Sequence, residues 1–253
     1  MSLQDQLAAQ LQAKSLPASQ AWLTTFLAAQ QQRTIPLAAL TKTALFRLLN
    51  TDFRESLSPR TSSTLPVDIY DPNVQERRLP GTIPVQVLDI EDIGTSIWSQ
   101  VEAIERVERG EAVRGREIVR TVNVGDEEQD GTGAGATTNV RSTANANANA
   151  GASSRESTGP HRLILQDANG IRAVGIEMTH VKGIAINSLP IGGKLLLQNA
   201  TVARGMILLT PENVTLLGGK IEAMDQAWKA DRKARLLERV TGVRTGTGVA
   251  NGG

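Results

Sequence analysis

The stretch from Leu189 to Gly219 limits the fold more than any other part of the chain, because short apolar runs alternate there with turn residues. A Pro-Ile-Gly-Gly turn leads into a strand at Lys194, and Arg204-Gly205 precedes a second strand. Pro211 breaks the chain at a corner, after which a third short strand ends in Gly218-Gly219. Short runs punctuated by Gly and Pro are typical of a small β-barrel. Nothing in this stretch has a catalytic pattern, so the function is expected to depend on partners.

The composition removes several classes of chemistry. The 253 residues have no cysteine, which excludes disulfides, thiolate metal sites and cysteine nucleophiles, and the 2 histidines exclude a three-histidine zinc site. Neither a metal nor a cofactor is expected. The 27 Lys+Arg against 26 Asp+Glu leave no overall basic field for nucleic acid. The N-terminus is Gln-rich and amphipathic rather than a secretion signal, and no apolar run approaches the roughly 20 residues that span a bilayer. An intracellular protein without a membrane partner is therefore expected.

Residues 1–57 are predicted to form a bundle of three helices. Leucines recur every fourth residue near the N-terminus, and two further apolar stripes follow at helical spacing. The stripe residues are Leu3, Leu7 and Leu11, then Trp22, Leu23, Phe26 and Leu27, then Leu37, Leu40, Ala44, Leu45 and Leu48. The third helix carries only Lys42 and Arg47, too few cations for a helix that reads DNA, so the stripes are predicted to form a core.

Residues 58–82 are predicted to be an extended connector, because Pro59, Pro66, Pro72 and Pro80 forbid a long helix there. A barrel domain is predicted over 83–219. Its five strands are predicted at Ile83 to Ile93, His161 to Gln166, Ile171 to Met178, Lys194 to Val202 and Met206 to Leu209. Five strands in this order, with a loop or short helix between the third and the fourth, are the pattern of an OB-fold.

An insertion at residues 94–160 separates the first two strands, and it is much longer than an ordinary connection. Ile97, Trp98, Val101 and Ile104 fall close to helical spacing and predict a short helix. Residues 126–159 consist largely of Gly, Ala, Asn, Thr and Ser and are predicted to be disordered, since they offer little apolar area to offset chain entropy. A C-terminal helix is predicted at 220–241 and a flexible tail at 242–253. The predicted class is α+β.

Single-stranded nucleic acid binds many OB-folds through aromatic side chains that stack on the bases. The predicted strands and their connections at 83–93 and 161–219 contain no Phe, Tyr or Trp, and their cations are mixed with acidic residues. Direct DNA contact is therefore expected to be weak and salt-sensitive, or to occur through a complex. Trp98 in the insertion has two open interpretations: an exposed anchor for a protein partner, or a side chain that folds back on the barrel.

Several motifs together resemble the RecQ-mediated genome instability protein 1 family, the OB-fold accessory subunit of topoisomerase III. They are Leu189-Pro190-x-Gly192-x-Lys194, Arg204-Gly205-Met206-Ile207-Leu208-Leu209-x-Pro211-Glu212-Asn213-Val214, Leu217-Gly218-Gly219, Gln166-Asp167-x-x-Gly170, Gly175-x-Glu177 and Trp98-Ser99-Gln100. The Trp22-Leu23 helix face and Leu48-Leu49-x-x-Asp52 also match in kind. The chain departs from the family after about Arg120, where the insertion is longer and of lower complexity. It is expected to be a short form without the second, C-terminal OB domain of longer members.

The resemblance implies a non-catalytic role in the nucleus. Members bind topoisomerase III and a Bloom-type RecQ helicase and help to dissolve double Holliday junctions. Their insertion enters the topoisomerase gate and favours its open state, which promotes decatenation. Ile97, Trp98 and Gln100 fall where that gate-contacting loop begins, with Val101 and Ile104 on the same predicted helix, and Lys194 falls at a barrel position implicated in partner binding. The alternative is an independent OB-fold protein that binds single-stranded nucleic acid. No nucleophile, base and orienting group converge in the sequence, so an enzyme is not expected.

Overall fold

The N-terminal residues form a helical bundle. The computed structural model describes residues 2–30, 36–59, 61–110 and 159–246. Its first four helices are α1 (Leu3–Gln12), α2 (Gln20–Ala28), α3 (Leu37–Leu49) and α4 (Phe53–Ser56). Ser2 and Ser19 cap α1 and α2, because each side-chain oxygen accepts a hydrogen bond from a backbone N–H of the first turn. The prediction of three helices is confirmed with one addition, the single turn of α4, which the Asp52 side chain caps.

Leucines and two phenylalanines fill the centre of the bundle. The buried positions are Leu7, Leu11, Leu16, Leu23, Phe26, Leu40, Ala44, Leu48, Phe53 and Leu57. They follow the helical stripes of the sequence, since residues three and four apart lie on one face of a helix. Leu196 of the barrel belongs to the same apolar cluster, so the bundle packs on the barrel rather than standing apart.

The remaining described residues contain eight strands in one sheet. Their bounds are β1 (Glu76–Arg78), β2 (Thr82–Asp92), β3 (His161–Gln166), β4 (Arg172–Glu177), β5 (Lys194–Gln198), β6 (Thr201–Ala203), β7 (Met206–Leu209) and β8 (Val214–Gly218). The order across the sheet is β1-β6-β7-β4-β3-β2-β5-β8, and every pair is antiparallel except β4 with β7. Strands β5 and β6 follow each other directly in the chain, yet β5 pairs with β2 near one edge of the sheet and β6 pairs with β7 near the other. The sheet therefore curves round on itself.

The strand count differs from the predicted five for local reasons. The predicted fourth strand is divided into β5 and β6 at Asn199, whose positive φ of 46° interrupts the extended backbone. Asn199 is held there because its side-chain oxygen accepts a hydrogen bond from the N–H of Gly81 at 3.1 Å. The connector adds β1. The short strand that the sequence indicated after Pro211 is β8, which the count of five did not include.

The connector is part of the barrel core and not an exposed link. It contains a 3₁₀ turn at Thr61–Ser63, and its Leu65, Ile69 and Leu79 are buried in the same cluster as the inward residues of the strands. The buried Asp167 carboxylate accepts hydrogen bonds from the N–H groups of Leu65 and Ile171, each at 2.8 Å. This carboxylate ties the connector to the β3–β4 hairpin.

Two more helices complete the described chain. Helix α5 (Ile97–Glu108) follows β2, as the periodicity predicts, and α6 (Glu222–Gly246) follows β8. Trp228 of α6 is buried in the barrel cluster. The helix continues to Gly246, beyond the predicted end at 241, and the predicted disorder at 126–159 lies outside the described residues except for Gly159. No helix of the described ranges combines the length and apolarity that a membrane crossing requires.

Candidate protein-interaction site

A tight turn follows the end of β2 and leads into α5. The Asp92 side chain accepts hydrogen bonds from the N–H groups of Gly94 and Thr95, at 2.8 and 3.0 Å. Ser96 then caps α5, because its hydroxyl oxygen accepts a hydrogen bond from the N–H of Ser99 at 3.1 Å. Asp and Ser are favoured at such positions since their short side chains bond to the nearby backbone.

Gln100 and Val101 anchor the first turns of α5, and both are buried. The Gln100 amide donates hydrogen bonds to the carbonyl oxygens of Asp92 and Thr95, at 2.9 and 3.0 Å. These two polar contacts to the backbone of the preceding turn fix the start of the helix to the end of β2. Gln100 and Val101 therefore hold the first turns of α5 in place without being exposed themselves.

Trp98 points into solvent from this anchored turn. Its side chain is 62 % exposed, so the structure places it at the surface rather than back on the barrel. Ile97 is half-buried, and Ile104, two turns further along α5, is half-buried as well. A large exposed aromatic ring on a fixed helix start is the arrangement expected of an interface anchor.

A cleft of about 360 Å³ lies beside this helix start. It is bounded by the end of β2, the first turn of α5 and the middle of α6. Its lining includes Asp89, Glu91, Asp92, Ile97, Gln100, Ile186, Trp228, Arg232, Arg235 and Arg239. The cleft and the start of α5 thus form one continuous surface.

The charges in the cleft pair with one another. Glu91 accepts from Arg239 at 2.8 Å and from Arg162 at 3.3 Å. Asp89 accepts a short hydrogen bond from the Trp228 indole and lies 3.6 Å from Arg235. Both carboxylates are therefore held by contacts within the described residues. The described residues also contain no group of three or more His, Cys, Asp and Glu that is arranged to hold a metal.

The far end of the insertion is fastened by a buried pair that sequence reasoning missed. The Nδ1 atom of His161 lies 2.7 Å from the Glu177 carboxylate, and both side chains are buried. The same carboxylate accepts hydrogen bonds from the N–H groups of His161 and Val181, at 3.1 and 2.7 Å. The alternation of β3 and β4 gave one signal, because it turns both residues inward, and the motif Gly175-x-Glu177 gave another for Glu177.

Lys194 lies at a different place from the other predicted site residues. It is fully buried between the barrel and the helical bundle, where its ammonium donates a hydrogen bond to the Gln86 side-chain oxygen at 3.0 Å and lies 4.7 Å from the Phe53 ring centroid. Burial lowers the pKa of Lys194 to about 7, and the nearby Asp52 charge opposes part of that shift. In this position the ammonium offers no surface to a partner.

The structure therefore divides the predicted site residues into two groups. Ile97, Trp98, Gln100 and Val101 lie together on the first turns of α5, and Ile104 follows on the same helix. Lys194 belongs to the contact between bundle and barrel. Which of these residues meets a partner stays a prediction.

Two family models match the chain in the regions just described. The model for "RMI1, N-terminal OB-fold domain" matches residues 65–232, and the model for "RMI1, N-terminal helical domain" matches residues 8–56. The chain belongs to the RMI1 family. The match confirms the resemblance drawn from the motifs, and it shows that the curved sheet is an OB-fold domain preceded by the family's helical domain.

Two curated proteins of this family are similar to the chain. RecQ-mediated genome instability protein 1 of Schizosaccharomyces pombe is 33 % identical over 167 residues, which are 65 % of this chain and 66 % of the relative. The protein of the same name from Xenopus laevis is 33 % identical over 94 residues, which are 36 % of this chain and 16 % of the relative. The chain thus matches slightly under two thirds of the yeast relative and a small part of the frog relative.

Proposed function

We propose that the protein is a non-catalytic subunit of a nuclear complex that contains a RecQ helicase and topoisomerase III. In this role it stimulates decatenation and the dissolution of double Holliday junctions, and the start of its insertion favours the open state of the topoisomerase gate. Membership in the RMI1 family supports the proposal. The observation that carries it is the 62 % exposed Trp98 on a helix start that Gln100 and Val101 fix to the barrel.

The proposed mechanism is a shift of population. A ligand moves an equilibrium only by the difference between its affinities for the two states. One well-packed aromatic anchor contributes on the order of 2 kcal/mol at a protein interface, which corresponds to about a 30-fold change in the ratio of open to closed gate. Such an anchor is most effective when its carrier does not move, because little ordering entropy is then lost on binding.

The other predicted site residues take different roles in this proposal. Ile97 lies next to Trp98 at the rim of the cleft and extends the apolar contact. Ile104, also on α5, stays a predicted contact residue in its own right. Gln100 and Val101 position the helix without touching the topoisomerase. Lys194 is buried in the contact between the helical bundle and the barrel, so in this proposal it does not touch the topoisomerase directly.

The test is the substitution Trp98→Ala, measured by the decatenation of interlinked DNA circles by purified topoisomerase III. The full chain is added at increasing concentration, and we expect the stimulation to fall severalfold while the thermal unfolding profile is unchanged. Phe46→Ala is the matched control, since Phe46 is an aromatic side chain that is 71 % exposed on α3 of the bundle. It should stimulate as well as the native chain.

Two results would contradict the proposal. Equal stimulation by the Trp98→Ala and native chains would remove the gate contact from this helix start. A native chain that neither binds topoisomerase III nor changes its decatenation would remove the proposed function altogether.

A further inference from the structure

The outer face of the barrel has apolar residues at positions where a solvent-exposed sheet normally has polar ones. Along β4 the inward residues are Ala173 and Gly175, whereas Val174 and Ile176 face outward and are half-buried. A strand with one face on the core and the other in water usually alternates apolar with polar residues. Here both faces are apolar, and the outer one packs on neither of the two buried clusters.

The pairing of the strands makes these outward residues neighbours. Val174 is opposite Ile164 of β3 on one side and Met206 of β7 on the other. Ile176 is likewise opposite Leu208 of β7. We call these five side chains the outer patch: Ile164, Val174, Ile176, Met206 and Leu208. Strands lie about 4.8 Å apart, so the outer patch extends roughly 10 Å across β3, β4 and β7 and further along them.

Three arginines border the outer patch, while Asp89 of β2 is opposite its Ile164. Arg172 is two residues before Val174 on the same face of β4, and Arg204 occupies the turn that leads to Met206. Arg78 of the edge strand β1 is opposite Thr201, which is itself opposite Leu208. None of these three arginines forms an ion pair with a residue in the described part of the chain. One carboxylate, that of Glu76, lies at the same edge.

The character of the outer patch decides which class of ligand fits it. The middle strands of an OB-fold and the turns beside them are where this architecture binds oligonucleotides, and that binding uses aromatic rings that stack on bases. The outer patch has only aliphatic and thioether side chains. Met and branched aliphatic residues with a polar rim suit the apolar side chains of a protein. Arg78 and Arg204 each donate one hydrogen bond to a backbone carbonyl oxygen, and a guanidinium has further N–H groups that suit carboxylates.

We propose that the outer patch binds an acidic, amphipathic segment of a protein partner. The apolar side chains of that segment contact Val174, Ile176 and Met206, and its carboxylates pair with Arg172, Arg204 and Arg78. This site borders the cleft, since Ile164 is opposite the cleft residue Asp89, but it includes neither Trp98 nor any other residue of α5. It therefore provides a second contact that does not depend on the proposed gate function.

The experiment uses the full chain and two labelled peptides of about 18 residues. One peptide combines leucine and glutamate at amphipathic helical spacing, and the other has lysine in place of every glutamate. Binding is measured by fluorescence anisotropy at low and at physiological salt. The variants are Met206→Glu and Arg172→Glu, and Phe46→Glu is the control because it places the same charge on an exposed apolar position of the bundle. Circular dichroism melting verifies the fold of each variant.

We expect the acidic peptide to bind, more weakly at higher salt, and the lysine peptide to bind at least tenfold less tightly. Each of the two patch variants should weaken binding by about tenfold, whereas Phe46→Glu should change it by less than about twofold. Arg172 is an exposed residue at the start of β4, so its variant reports on binding even if Met206→Glu lowers stability. The proposal is overturned by no binding of the acidic peptide, by equal binding of both peptides, by equal effects of patch and control variants, or by displacement of the peptide with oligothymidylate.

Discussion

Lys194 provides the sharpest test of how the bundle is held on the barrel. Its ammonium is fully buried beside the Gln86 amide and the Phe53 ring, and burial lowers its pKa from the ordinary 10.5 to about 7. Lys194→Met keeps the length of the side chain and removes the charge. Since replacing a buried charge by an apolar group of similar volume is often stabilising, we expect Lys194→Met to be more stable than the native chain at neutral pH.

The lowered pKa of Lys194 sets the size and the direction of the change in stability with pH. Between pH 7 and 10.5 the unfolded lysine holds a proton that the folded lysine has released, so unfolding takes up a proton and the native fold gains stability as pH rises. The slope is about 1.4 kcal/mol per pH unit, and the whole window amounts to about 5 kcal/mol. Lys194→Met has no such group. The amount by which the free energy of unfolding of Lys194→Met exceeds that of the native chain should therefore shrink by about 2.5 kcal/mol between about pH 7.5 and about pH 9.5.

The assay is urea unfolding of both chains, followed by circular dichroism at several pH values in that range, with the free energy of unfolding extrapolated to water. Taking the difference between the two chains removes the titration of every other group. The control is Lys182→Met at an exposed lysine, which should change stability by less than about 0.5 kcal/mol. If the native and Lys194→Met curves run parallel over this range, the ammonium keeps its proton in the folded state and the reasoning fails.

Three further predictions concern the fold and the ligand class. Gly219→Ala should destabilise the chain by more than about 2 kcal/mol in urea unfolding, because Gly219 has φ of 76° and an added Cβ would lie 2.2 Å from the carbonyl oxygen of Leu49. Gly218→Ala, at φ of 80° with nothing within 4 Å of the added Cβ, should cost only about 1 kcal/mol, and equal losses would contradict the packing argument. Burial raises the pKa of Asp167 above 3.8, so its contribution to the free energy of unfolding is lost as pH rises through the folded pKa. Asp167→Asn removes this titration and should flatten the dependence of stability on pH above pH 3.8. A difference in the free energy of unfolding between the two chains that does not change with pH would refute this. In fluorescence anisotropy the native chain should bind a labelled single-stranded oligonucleotide only weakly at physiological salt, and sub-micromolar affinity would instead favour the nucleic-acid-binding alternative.

The sequence predicted most elements because their signals are local. The leucine stripes of the bundle and the alternation of β2, β3, β4 and β7 follow from which face of each element is apolar. Helix α5 was predicted in the same way. The short elements α4 and β1 were not predicted. Strand β1 has the sequence Glu-Arg-Arg, which has no alternation of its own, and it is a strand only because β6 offers it backbone partners.

The candidate site was predicted in part. The residue types around Trp98 indicated an interface, and its 62 % exposure agrees with that interpretation. The roles of Gln100 and Lys194 were not accessible, because a polar side chain in a sequence gives no sign that it will be buried. Lys194 lies inside the molecule because Phe53 and Gln86, distant in sequence, surround it.

The amino-acid sequence by itself determined the order of helices and strands, the place of the insertion and the absence of cysteine chemistry, since each depends on neighbouring residues or on composition. Only the tertiary structure decided which polar groups are buried and which apolar groups stay outside. Burial is a property of contacts between residues far apart in the chain, as with His161 and Glu177 or Lys194 and Gln86. The same long-range pairing turns Val174, Ile176 and Met206 into one outward surface, and no periodicity of a single strand specifies that arrangement.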